Sequence, residues 1–120
     1  MTVKNLATQA DVTNFLNQQN QLLIVKFGAE WCQPCAEIDP DFEALASELT
    51  ARNEPVAFAK IDQDDDNADV FETHGIVKLP TFVVAEGPDV FTVERPSVER
   101  LRSVVRSSMP MPDLSLADDF

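Results

Sequence analysis

Two cysteines, Cys32 and Cys35, are the only two in the chain, and they stand three residues apart in Trp31-Cys32-Gln33-Pro34-Cys35. Random placement would give that spacing in about two cases in a hundred, so the spacing itself points to a paired role. A disulfide across so short a loop does little for stability, because cross-link stabilisation grows with the loop it closes. The pattern therefore reads as a dithiol/disulfide redox couple; its rival is two unrelated buried thiols. Thiol–disulfide exchange needs a thiolate attacker. A helix N-terminus offers unpaired N–H groups and a partial positive charge, which lower a thiol pKa. Cys32 is therefore expected to attack, and Cys35, one turn later, to resolve. Pro34 suits the first turn, where its missing N–H costs nothing. Trp31 is expected either to cover the pair with apolar surface or simply to pack half-buried. Leu79-Pro80-Thr81 is a second element of interest, since a proline that opens a strand is a candidate cis bond.

The elements that must position these residues follow from periodicity. Val3–Leu6 reads as a short strand. Thr8 reads as an N-cap for a helix over 9–19, with Val12, Phe15 and Leu16 on one face. Leu22–Phe27 is apolar except for Lys26 and reads as a buried central strand. A helix over 35–52 carries Ile38, Phe42, Leu45, Ala46 and Leu49, with Pro40 expected to bend it. Pro55–Ile61 is a third strand. A short helix over 67–74 follows, with Gly75 placed to end it. Strands over 81–85 and 90–93 flank a turn at Gly87-Pro88-Asp89. Ser97 caps a last helix bearing Val98, Leu101, Val104 and Val105. The order β-α-β-α-β-α-β-β-α predicts an α/β domain with a central mixed five-stranded sheet and helices on both faces. Cys32 falls at the carboxyl end of the second strand, where open α/β sheets hold their sites.

At 120 residues and 44% hydrophobic, the chain fits one domain with an ordinary core. The expected division is a domain over 1–108 and an acidic, flexible C-terminal tail over 109–120. A net charge of −12 argues against nucleic acid or anionic lipid as a partner. No apolar run is long enough to span a membrane, and Met1–Ala10 lacks the apolar core of a secretory signal. Asp62, Asp64, Asp65, Asp66 and Asp69 fail the calcium-loop pattern and read as acids capping the following helix; no metal site is expected. The tail, which ends in acids and Phe120, is a candidate docking peptide.

Taken together, the chain resembles the thioredoxin family. The matching stretches are Ile24-Val25-Lys26-Phe27, Ala29-Glu30-Trp31-Cys32-Gln33-Pro34-Cys35, Pro40, Lys60-Ile61-Asp62, Gly75-Ile76 and Leu79-Pro80-Thr81, spanning about residues 3 to 107. The resemblance implies a thioredoxin fold with Pro80 cis and facing the cysteines, and a residue 79 backbone that holds the substrate in an extended pose. It also implies a cytoplasmic protein-disulfide reductase with no bound cofactor, its redox-active Cys32–Cys35 disulfide recharged by an NADPH-dependent flavoprotein reductase. The alternative is a binding or chaperone-like module in which the dithiol is regulatory or idle.

Three positions depart from the family pattern. Gln33 stands where the family usually has Gly, a position that tunes the redox poise along with Pro34. Lys26 replaces a buried Asp. If charged it favours thiolates, if neutral it is a possible base, and its plainest reading is that it snorkels to solvent. Glu94-Arg95-Pro96 stands where a groove-lining Gly is usual. With Glu30, Glu37 and Asp39 near the cysteines, basic client surfaces are expected.

Overall fold

The structure is a computed structural model that describes residues 3–18 and 20–108; the expected tail over 109–120 lies outside the described residues. The elements follow in the expected order: β1 (Val3–Leu6), α1 (Gln9–Leu16), β2 (Leu22–Gly28), α2 (Gln33–Ala51), β3 (Val56–Asp62), α3 (Ala68–Thr73), β4 (Thr81–Glu86), β5 (Asp89–Glu94) and α4 (Val98–Ser108). The five strands form one sheet in the order β1-β3-β2-β4-β5. β1 and β2 run parallel to β3, while β4 runs antiparallel to both β2 and β5. β2 lies in the middle and all seven of its residues are buried.

The two faces of the sheet follow from the period-two alternation of strand side chains. Leu22 and Ile24 join Phe58, Phe82 and Val84 under α2 and α4, packed with Phe42, Leu45, Leu101 and Val105. Phe42 is the hub of this layer, edge-on to Phe58 at 5.7 Å and to Phe82 at 5.3 Å between ring centroids. Such aromatic pairs add about 1 kcal/mol each beyond area burial. Leu23, Val25 and Phe27 face the other way, onto Val12 and Phe15 of α1 and Val70 and Phe71 of α3. Lys26 and Gly28 share the parity of Leu22 and Ile24. They therefore face α2.

Local signals set the element ends. Thr8 caps α1 reciprocally with Asp11, each side chain bonding the other's backbone N–H. α1 then stops at Leu16, earlier than its periodicity suggests, with Asn17 as C-cap. Ser97 Oγ accepts from the Arg100 N–H at 3.1 Å and starts α4. Gly75, at φ +70°, ends α3. Of the acids expected at the start of α3, Asp69 does lie in its first turn, but the loop before it is built differently. Asp64 accepts from the Asp66 N–H, and Asn67 carries no side-chain cap bond to α3. Instead, Asn67 ties the loop to β3 by accepting from the Asp64 N–H at 2.7 Å and donating to the Asp62 carbonyl at 2.9 Å.

Candidate active site

β2 ends at Gly28, and the chain turns through Ala29 into α2, with the Cys32 N–H donating to the Ala29 carbonyl at 3.2 Å. Cys32 is the N-cap of α2, and its Sγ accepts from the Cys35 N–H at 3.2 Å. Pro34 lies in the first helical turn. Cys32 and Cys35 form a disulfide, with their Cα atoms 5.3 Å apart. Cys32 is 6% exposed and Cys35 1%, so the two sulfurs are an outer and an inner member of one pair. The outer one sits on the positive end of a 19-residue helix, where a thiolate is favoured.

Trp31 does not cover the pair by burial: it is 72% exposed and lines a shallow depression with Glu30, Cys32, Gln33 and Glu37. Gln33 points along the helix surface and donates to Glu37 at 3.4 Å. Across from them, the Leu79–Pro80 peptide bond is cis. Leu79 packs against Ala29, Cys32 and Cys35, so the loop before β4 lies directly on the redox pair. Pro80 lines a 220 Å³ depression together with Pro34, Glu37, Ile38 and Arg95. Arg95 holds this loop from the other side. Its N–H donates to the Pro80 carbonyl at 2.8 Å, and its Nε–H to the Leu79 carbonyl at 2.9 Å.

Lys26 does not snorkel. It is 1% exposed and forms an ion pair with Asp39, which is one turn past Cys35 on α2 and 34% exposed. A buried ammonium without a counter-charge would be expensive, and Asp39 supplies it. The pattern repeats one strand over. Lys60 is the register partner of Lys26 and pairs with Glu43 of α2 at 3.8 Å. Asp39 and Glu43, four apart on one helix face, thus answer two neighbouring lysines. Asp39 is therefore not simply part of an acidic rim for basic clients.

The space under the cysteines is tight. A Cβ placed on Gly28 would lie 3.1 Å from Lys26 Cε, 3.2 Å from Cys35 Sγ and 3.5 Å from Asp62 Oδ1. The lysine stem, the inner sulfur and the Asp62 carboxylate therefore share one small volume, kept open by the missing side chain of residue 28.

Trp31, Cys32, Gln33, Pro34, Cys35, Leu79 and Pro80 thus meet at one end of the sheet, with Lys26 beneath them. A larger concavity of about 630 Å³ lies at the other end, around Leu16, Leu22, Leu23 and Ala85, and contains neither cysteine. Among the described residues no group of three or more metal-binding side chains converges, and no helix is long and apolar enough to cross a membrane. His74 sits 5.5 Å from the Phe27 ring, and burial pulls its pKa below 6.5. Two participants were not read from the sequence: Asp39 as the partner of Lys26, and Arg95 as a clamp on Leu79. A lysine inside an apolar strand does demand an acid nearby, but α2 offers Glu37, Asp39, Asp41 and Glu43, and periodicity alone does not choose among them.

The sequence profile of the family described as Thioredoxin matches residues 3–107. Among individual proteins, the thioredoxin of Coprinus comatus is 33% identical over 100 residues, covering 82% of this chain and 92% of that protein. Thioredoxin H2-1 of rice, Oryza sativa subsp. japonica, is 33% identical over 92 residues, or 73% of this chain; this chain spans 63% of that protein's length. The X-ray structure of Fasciola hepatica thioredoxin superposes with a TM-score of 0.77 at 33% identity, covering 88% of this chain and 99% of the other.

Proposed function

The chain belongs to the thioredoxin family and is a thiol–disulfide oxidoreductase, and from that premise we propose that it works as a reductase of protein disulfides. The observation that carries this is the pairing of an outer sulfur at a helix N-terminus with a fully buried inner one, under a cis-proline loop. In the reduced protein the Cys32 thiolate attacks one sulfur of the client disulfide. A Cys32–client disulfide forms and the other client sulfur leaves as a thiolate. Cys35, as its thiolate, then attacks Cys32 Sγ, and the client leaves with its second thiol. The Cys32–Cys35 disulfide that remains has taken up the client's oxidising equivalents. Pro80 and the Leu79 backbone hold the client strand beside Cys32, and Trp31 forms the exposed apolar wall of that groove.

Lys26, Gln33 and Pro34 tune the couple. The Lys26 ammonium lies behind Cys35, where positive charge favours the thiolate and hence the reduced state, making the couple more oxidising. Asp39 offsets part of that charge. Gln33 places an amide side chain where the backbone would otherwise be bare, and Pro34 stiffens the first turn of α2.

Electrons come in this reading from an NADPH-dependent flavoprotein reductase, and the site of action is the cytoplasm, where dithiols are kept reduced. The acidic segment over 109–120 serves as a docking peptide for a partner protein. The test is insulin reduction followed by turbidity, with dithiothreitol as electron source. Wild type accelerates precipitation, and Cys32→Ser abolishes the acceleration. Wild type that matches the uncatalysed rate, yet suppresses aggregation of an unfolded client equally well as Cys32→Ser, would favour a binding module instead.

A further inference from the structure

Arg95 adopts φ +44°, a region where a Cβ crowds the carbonyl and glycine is the usual occupant. Non-glycine residues persist there when neighbours over-determine them, and such residues gather at sites that handle ligands. Here the neighbours are the Pro80 carbonyl, which takes the Arg95 N–H at 2.8 Å, and the Leu79 carbonyl, which takes the Nε–H at 2.9 Å. The side chain is thereby folded back over the loop that faces the cysteines.

Anchoring through Nε leaves both Nη groups, with four N–H donors in one plane. Arg95 is exposed, and among the described residues no carboxylate is ion-paired with it. Glu37, which shares its depression, is engaged by Gln33. The result is a forked cation held at one end and open at the other, at the rim of the groove.

We propose that Arg95 determines specificity by selecting client segments with a carboxylate beside the attacked cysteine; this rests on the reading of Leu79 and Pro80 as the client groove. A carbonyl oxygen has two lone pairs. Arg95 uses one on Leu79, leaving the other for a client N–H, and the adjacent client side chain meets the Nη groups. Asp or Glu there forms a charge-assisted, bidentate pair, whereas Lys meets like charge. Glu30, Glu37 and Glu94 surround the groove, so the preference for acid is confined to the one position that Arg95 reads.

The test uses the full-length chain with Cys35→Ser, which stops after the first attack. Peptides identical but for Asp or Lys, scanned over two positions on either side of a single cysteine, carry that cysteine as a mixed disulfide with thionitrobenzoate. The Cys32 thiolate attacks the peptide sulfur, a Cys32–peptide disulfide forms, and the coloured thionitrobenzoate thiolate leaves. At one position the Asp peptide reacts about tenfold faster than the Lys peptide, and about 0.5 M salt narrows the ratio. Arg95→Gln and Arg95→Gly, the second of which also relieves the backbone, both bring the ratio to one or below. Equal rates in the parent at every position, or a ratio that survives in Arg95→Gln, would overturn the proposal. Absence of dye release from all peptides would instead overturn the assignment of Cys32 as nucleophile, and this proposal with it.

Discussion

Lys26 and Asp39 form an ion pair that joins the middle of β2 to the second turn of α2, with the ammonium sealed at 1% exposure and the carboxylate open at 34%. The pair is asymmetric. Lysine has no route to water, while aspartate has one face in it. Loss of the acid strands the base, next to a second lysine at its register position, Lys60.

Asp39→Ala should therefore destabilise the oxidised protein by about 2 kcal/mol, below the roughly 3–5 kcal/mol of a fully buried pair because Asp39 is partly solvated. Lys26→Met combined with Asp39→Leu should recover most of that loss, since an apolar pair of similar volume removes the stranded charge. Urea unfolding of the three proteins measures this. A double variant no more stable than Asp39→Ala would show that the lysine does not depend on the acid.

The two partners should move the reduction potential in opposite directions. Lys26→Met withdraws positive charge from behind Cys35, disfavours the thiolate and makes the couple more reducing. Asp39→Asn leaves the lysine uncompensated and makes it more oxidising. Shifts on the order of 30 mV are expected, each equivalent to about 1.4 kcal/mol. Equilibration against glutathione buffers reads them, and shifts of the same sign would contradict the assignment.

Gly28→Ala tests the crowding under the cysteines. The new Cβ would stand 3.1 Å from Lys26 Cε and 3.2 Å from Cys35 Sγ. The lysine stem can turn aside, but a disulfide-bonded sulfur has little freedom. A loss of about 1 kcal/mol is expected in the oxidised protein, and a smaller one after reduction, when Cys35 can rotate. Thermal melts with and without reductant decide it; equal losses in both states would place the strain elsewhere.

His74 gives the fold a mild pH dependence. Burial holds its folded pKa below the 6.5 of the free side chain, so the unfolded chain takes up the proton first as pH falls. Stability from this source is complete above about pH 6.5 and declines as pH drops through the folded value. His74→Gln should flatten the urea midpoint between pH 8 and pH 5.5. An unchanged slope would mean that other groups set it.

Much of this was legible from residue order. The apolar run Leu22–Phe27, the 3.6-residue stripe of α2, the Thr8 and Ser97 caps and the glycine after α3 each report a local preference that the fold keeps. The Cys32–Cys35 pair was legible because its spacing and chemistry are themselves local; the cis bond before Pro80 was only a candidate from its own residues and was expected through the family resemblance. What escaped was contact between elements. Lys26 and Asp39 are thirteen positions apart on a strand and a helix, and only strand parity together with the seating of α2 brings them together. Arg95 and Leu79 are sixteen apart, and their contact depends on a positive φ that Glu94-Arg95-Pro96 does not announce. Trp31 was misjudged in its packing option for a related reason: aromatic size suggests burial, but its loop projects it outward.

Cys32 Sγ, the atom proposed to attack the client, is also the acceptor that caps α2 through the Cys35 N–H. Whatever is bonded to that sulfur therefore alters the electron density seen by one particular amide proton. The Cys35 amide resonance becomes a built-in reporter that distinguishes free thiolate, client adduct and closed disulfide without an added label. The first turn of α2 would then record each stage of turnover in the protein's own spectrum.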